Sequence, residues 1–346
     1  MKKSCLTATM VNIPDDVLRN NIFIRLPAKQ VARMRSLSKT WNHVLSDPSF
    51  IKSHLHHSIH KTTTIKLMIF SNTEPNPTDN VECFLNLWNP SLSALIVLPN
   101  SNIPFVLDGR CNQSVFRFGY DPKTDDYKVV MLTYVHKNQE GIEWHPIKVY
   151  SVQKGYWESI SEKFSAHITG FYCVNEVSGD GHDGHVHMLC YLDASSISQT
   201  IIAFDLGDET FSEISLPDPI QRYNNSQTNV LGVLFEKLCV MSCMSQGDCE
   251  VWVMEEYGVT TSWVKRLVFT QLFTGHNIPL GFTLRGELIF EFGDRHLALY
   301  DSNGDILKVL KTIEKEVIYL KIVQYVDSLV WVAHLVGNSC GSTQTV

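Results

Sequence analysis

From residue 149 onward the chain repeats itself at a spacing near 50 residues. Val149-Tyr150-Ser151-Val152, Ala203-Phe204-Asp205, Val251-Trp252-Val253-Met254 and Ala298-Leu299-Tyr300-Asp301 each form a short apolar run that enters a polar turn. A second apolar or aromatic run follows each turn, carrying Trp157 and Ile160, then Phe211, Ile214 and Leu216, then Trp263 and Leu267, then Ile306 and Leu310. Counted from Val149, Ala203, Val251 and Ala298, the steps are 54, 48 and 47 residues. Leu87-Trp88-Asn89-Pro90 leading to Leu98-Pro99 has the same texture earlier in the chain. One such unit is a small sheet that cannot bury both of its faces, so the units have to stack on one another.

That arithmetic predicts a kelch-like β-propeller of about six blades over residues 62–340. The strand-like segments 64–71 and 317–332 lie at the two ends and are expected to pair and close the ring. A pair of stacked sheets is the alternative, since short strands at regular spacing fit both. Residues 12–58 read differently. Val17, Leu18, Ile22, Val31, Met34, Leu37, Trp41 and Leu45 fall at helical spacing. Pro14 suits a helix start, with Asp15 and Asp16 at the positive end of its dipole. Leu26-Pro27 stops that helix, because the residue before proline is pushed out of the α region. Further helices are expected over 28–35, 38–45 and 49–56.

Hydrophobic residues make up 44% of the 346-residue chain and charged residues 19%, enough apolar material for a core and too much for a disordered chain. The most apolar stretch, 318–336, is broken by Lys321, Gln324, Asp327 and His334, which argues against a membrane span. The first residues lack the pattern of a signal peptide. Nine cysteines, odd in number and scattered, suggest a reducing compartment, cytoplasm or nucleus. The sequons at Asn112 and Asn224 then read as chance matches.

Charge is divided along the chain. Residues 1–61 hold ten Lys/Arg against three acids, or +7, and the remainder carries −14. A basic module on an acidic body points to an acidic partner for the module, nucleic acid or protein, unless the charges only solvate a helical face. The acidic body argues against nucleic acid as its own ligand.

Motifs for catalysis are missing: no G-x-S-x-G, P-loop, G-x-G-x-x-G or H-E-x-x-H pattern occurs. His182, His185, His187 and Cys190 suggest zinc at first sight. Strand alternation, however, puts His185 and His187 on one face and Cys190 on the other. Cys239, Cys243 and Cys249 read as buried small hydrophobes. His54, His56, His57 and His60 read as a solvated end of the helical module. Asp121-Pro122-Lys123-Thr124 reads as a hairpin turn rather than a calcium loop. No metal or cofactor is expected.

Read in order, Pro14-Asp15-Asp16-Val17-Leu18, Ile22, Arg25-Leu26-Pro27, Lys29, Ser38-Lys39-Thr40-Trp41 and Asp47-Pro48-Ser49-Phe50 resemble the F-box. The body resembles the F-box-associated interaction domain of plant F-box proteins. The matching pieces are Leu87-Trp88-Asn89-Pro90, Phe118-Gly119-Tyr120-Asp121-Pro122, Asp126-Tyr127-Lys128-Val129-Val130, Val149-Tyr150-Ser151, Phe204-Asp205 and Tyr325-Val326-Asp327-Ser328-Leu329. One departure is visible: Asn20-Asn21 adds a residue between the first proline and the Leu-Pro pair.

The resemblance implies an α+β multidomain chain, with a three- or four-helix F-box module at 10–58 and an all-β kelch-like propeller at 62–340. It implies a non-catalytic, substrate-recognition adaptor of an SCF-type ubiquitin ligase. The F-box would dock on a Skp-family adaptor, which bridges to cullin and RING subunits, and the propeller would hold a target protein. Pro14, Leu18, Ile22, Leu26, Pro27, Lys29 and Trp41 are the expected adaptor-binding residues, with Trp41 equally suited to core or interface. The alternatives are a protein-binding scaffold outside any ligase, and a propeller enzyme or sugar binder. The polar loops 72–80, 136–144, 174–184 and 220–229 are the expected recognition elements.

Overall fold

Strands built as uninterrupted apolar runs, such as Ile201-Ile202-Ala203-Phe204, must be covered on both faces. The structure shows how. The computed structural model of the chain describes residues 14–60, 66–73, 85–101, 106–107, 110–111, 113–137, 141–160, 164–165, 167–171, 184–192, 198–221, 227–244, 247–270, 279–283, 285–292, 296–301, 303, 305–312 and 317–330. Two units are present, one comprising Met1–Thr64, Asn86–Ile96 and Val326–Ala333, the other Ile65–Leu85, Val97–Tyr325 and His334–Val346.

The larger unit is a run of antiparallel sheets in propeller-like succession. The first blade orders strands Gln113–Asp121, Asp126–Lys137, Lys148–Ser151 and Tyr156–Ser159, with Gly141–Trp144 added along the second strand. The second blade uses Gly170–Phe171, His185–Tyr191, Gln199–Asp205 and Thr210–Ile214. The third uses Gln227–Leu234, Lys237–Met244, Cys249–Met254 and Trp263–Phe269, and the fourth Pro279–Phe282, Leu288–Phe292, His296–Tyr300 and Ile306–Thr312. Four such blades stand among the described residues, against the about six expected from the spacing. The arrangement is a succession of separate four-stranded sheets rather than two stacked ones. Lys66–Thr73 pairs antiparallel with Val317–Tyr325, joining the two ends of the body as expected.

Alternate residues of each blade point to opposite neighbours. Val186, Met188 and Cys190 join Val130, Leu132 and Val149 of the first blade in one buried cluster. Leu189, one residue out of step, joins Leu231, Val240 and Trp252 of the third. Trp252 and Met254 face the second blade, while Val251 and Val253 face Phe290 and Tyr300 of the fourth. Cys190, Cys239, Cys243 and Cys249 are free thiols inside these layers, as small hydrophobes would be. Full burial also pushes the Cys239 and Cys249 thiols well above their ordinary range.

Polar residues stitch the turns. Lys128 and Asp121 form an ion pair of 3.2 Å with side chains 8% and 0% exposed. Lys128 also donates to the Leu206 carbonyl at 2.5 Å, tying the first blade to the second. The segment Asp121-Pro122-Lys123-Thr124-Asp125-Asp126 is the hairpin turn expected.

Gly286 sits in a turn with φ of +80°, and an added Cβ would come 2.5 Å from Cζ of Phe235 on the neighbouring blade. Phe235 is exposed and can swing aside, but the left-handed backbone cannot be relieved. Gly286→Ala is expected to cost roughly 1–2 kcal/mol, measured as a shift in the denaturant midpoint with an unchanged m-value.

Candidate functional site

The smaller unit holds the residues expected to dock. Its opening helical segment takes three forms in eleven residues: helix α1 (Asp15–Val17), a π-turn (Leu18–Ile22) and a 3-10 turn (Phe23–Arg25). Leu26 turns extended, with φ −76° and ψ 151°, ahead of Pro27. Helices α2 (Ala28–Arg35), α3 (Lys39–Leu45) and α4 (Pro48–His60) follow. Ser38 caps α3 by accepting from the Trp41 N–H at 3.1 Å. Asp47 accepts from the N–H groups of Ser49 and Phe50 at 3.0 and 3.3 Å, with Pro48 in the first position of α4.

Helix α2 has no cap from its own sequence, since Pro27 precedes it. Its cap comes from 299 positions away: the Ala28 N–H donates to Oδ2 of Asp327 at 2.7 Å. Ser91 donates its hydroxyl to the other oxygen of Asp327. Asn89 donates to the Ser328 and Val330 carbonyls at 3.1 and 2.8 Å, and its Oδ1 accepts from the Ser91 N–H at 3.0 Å. Leu329 is fully buried among Phe23, Ala28, Val31, Leu45 and Phe50, and Leu92 packs against the same cluster. Leu87-Trp88-Asn89-Pro90 and Val326-Asp327-Ser328-Leu329 therefore complete the helical unit. It extends in sequence well beyond residues 10–58.

The expected docking residues divide by exposure. Pro14, Ile22, Pro27 and Lys29 are exposed, whereas Leu18, Leu26 and Trp41 are half-buried against the core. The Trp41 ring meets Phe23 edge-on at 4.9 Å, so it serves the core while remaining half-buried. Two apolar residues outside the expected set are also exposed, Val17 at 36% and Leu37 at 69%. Leu37 falls on the helical spacing of core residues, and no local signal marks it as uncovered.

The π-turn explains how the extra residue is absorbed. The Phe23 N–H reaches the Leu18 carbonyl, five residues back. A turn of that width stacks residues five apart, so Val17 and Ile22 share a face. On an ordinary 3.6-residue turn they would stand about 140° apart.

Charge sorts in the same way. Arg19 turns inward to Asp47 and Ser49 at 3.2 and 2.7 Å and over the Phe50 ring, while Arg35 donates to the Leu45 carbonyl at 2.7 Å. Arg25, Lys29, Arg33, Lys39 and Lys52 stay exposed and carry the positive field of the module.

His54 corrects the sequence reading of a solvated histidine cluster. It is fully buried, with Nε2 at 2.8 Å from the Leu26 carbonyl. Carbonyls only accept, so Nε2 bears the proton, and buried Nδ1 has no hydrogen-bond partner among the described residues. Helix α4 runs to His60, so its inner face carries His54 into the core, while His56 is exposed and His57 half-buried. Burial pushes the His54 imidazole below its ordinary value, only partly offset by the Leu26 hydrogen bond.

The body shows no constellation for chemistry among the described residues. No group of three or more His, Cys, Asp or Glu able to hold a metal occurs there, and no helix is long and apolar enough to cross a membrane. His185 and His187 share a face, both against Tyr257, and Cys190 points the other way. His182 lies outside the described residues, as do 74–80, 138–140, 174–183 and 222–226 of the expected recognition loops.

The chain thus joins a helical module with exposed apolar side chains to a body of repeated β-sheets in propeller-like succession. Residues 22–300 match the F-box associated β-propeller domain, and the chain belongs to that family. Its relatives are F-box proteins of Arabidopsis thaliana. F-box protein CPR1 is 30% identical over 306 residues, covering 75% of this chain and 73% of that protein. An F-box/kelch-repeat protein is 26% identical over 339 residues, covering 85% and 89%.

Two outcomes test the helical unit. Asp327→Ala removes the distant cap and is expected to cost about 1–2 kcal/mol, with faster hydrogen exchange at the Ala28 amide; Asp327→Asn, which keeps an acceptor, should cost less. His54 is held neutral in the folded state, so the unfolded chain binds the proton more readily. Stability is then full above the unfolded value of about 6.5 and falls as pH drops from there toward the lower folded value. His54→Gln should flatten that slope in denaturant titrations between about pH 6.5 and 5.

Proposed function

We propose that this chain is the substrate-recognition adaptor of an SCF-type ubiquitin ligase. Its F-box module, residues 10–58, docks on a Skp-family adaptor that bridges to cullin and RING subunits. Its propeller domain, residues 62–340, holds a target protein. The chain makes and breaks no bond itself. Its contribution is proximity, holding the target where a ubiquitin-loaded enzyme can reach it. The observation that carries this reading is the exposure of Val17, Ile22 and Leu37 on a module of a family whose relatives include F-box proteins.

In this reading Pro14, Ile22 and Pro27 make the direct apolar contact, and Val17 and Leu37 extend it. Leu18, Leu26 and Trp41 support it from the core side. Lys29 and the other exposed cations steer the module toward an acidic adaptor, which favours association rate more than affinity. The ladder of Lys66–Thr73 with Val317–Tyr325 supports a closing blade made from both ends of the body. Cytoplasm or nucleus is the compartment that fits buried free thiols.

The test is capture of a purified Skp-family adaptor by the full chain. Ile22→Glu puts a charge into the proposed contact at a position 38% exposed in the free chain. Binding is expected to weaken by about tenfold or more, with an unchanged melting temperature. Wild-type affinity in this variant would place the contact elsewhere, and absence of capture by the parent chain would end the ligase reading.

A further inference from the structure

The third blade turns from Gln227–Leu234 into Lys237–Met244 through two residues, Phe235 and Glu236, with left-handed φ of 48° and 62°. Such turns favour Asn-Gly, because a larger side chain at positive φ crowds its own backbone. Here the positions hold an aromatic residue that is 67% exposed and an exposed acid. Burial does not account for them, and a broken local rule of this kind points to use.

Glu236 stands at a cavity of about 170 Å³ formed by the second and third blades. Val233, Leu238 and Met254 supply apolar wall, and His187, Lys237, Glu255 and Tyr257 complete the polar lining beside Glu236. A cavity of about 150 Å³ holds a benzene-sized group, so this one takes the end of one long side chain. His187 is 3% exposed, and its Nε2 lies 2.9 Å from the Tyr257 hydroxyl. That bond fixes the Tyr257 ring, which stays 48% exposed. Glu255 is already compensated by ion pairs with Lys237 and Arg266. Glu236 forms no ion pair among the described residues.

An apolar wall accommodates a methylene stem, and an aromatic face beside an uncompensated carboxylate attracts a cationic head. We propose that this cavity receives an arginine or lysine side chain from a protein segment held by the propeller. The proposal rests on the reading of the body as a protein-binding module and names the chemistry that it recognises. The −14 charge of the sequence beyond residue 61 favours such a segment over an acidic one.

The test uses the full chain with isotope-labelled methionine methyl groups, the Met254 resonance being identified by its loss in Met254→Leu. The probes are Nα-acetyl-arginine methylamide, its lysine counterpart, and the neutral citrulline analogue. The two cationic probes should move the Met254 signal saturably, with citrulline binding about tenfold more weakly. Glu236→Asn should fold at least as well as the parent, since asparagine tolerates left-handed backbone. It should weaken arginine binding by about fivefold. No movement, an equal response to citrulline, or unchanged affinity in Glu236→Asn overturns the proposal. No adaptor enters this experiment. A chain that takes arginine yet captures no adaptor therefore loses the ligase reading alone, and one that captures adaptor but ignores arginine loses this proposal alone.

Discussion

The helical unit depends on one hydrogen bond across nearly the whole sequence, from the Ala28 N–H to the carboxylate of Asp327. A helix start leaves N–H groups that must be satisfied. Proline before α2 ends the preceding turn sharply but offers no side-chain acceptor. Asp327 supplies it, Ser91 orients the carboxylate, and Leu329 fills the core a few ångströms of chain further on. The module of about 50 residues is too small to bury its apolar side chains unaided. Borrowed segments make up part of the deficit, while Val17, Ile22 and Leu37 stay exposed.

The body solves the same problem by repetition. Each blade offers two apolar faces and each neighbour covers one, which is why Met188, Leu189 and Cys190 can all be buried in consecutive positions. Such strands lack the alternation of a half-solvated sheet. The Asp121–Asp126 turn, by contrast, is polar and solvent-facing in large part.

Much of this was legible in the sequence because it depends on local chemistry. Helix boundaries at Leu26-Pro27, Ser38 and Asp47-Pro48 follow from proline geometry and side-chain caps. The repeat spacing announced stacked sheets, and the Asp121 hairpin followed from its turn residues. The split of His185 and His187 from Cys190 needed only strand periodicity. His54 was misread because four histidines in one stretch look uniformly polar, whereas a helix turns one of them inward each few residues. Helical spacing picks out Val17 and Leu37 as apolar positions without saying that they stay uncovered.

The sequence by itself determined the two textures, the family, the helix stops and the apolar strands, since each rests on residues within a turn or a strand of one another. The tertiary structure alone decided that Asn89 and Asp327 belong with the helices and that Leu329 covers their core. It also decided that Val17 and Ile22 share a face and that Glu236 stands at a cavity beside Tyr257. These depend on contacts between residues tens to hundreds of positions apart, or on the width of one helical turn, and no local pattern encodes either.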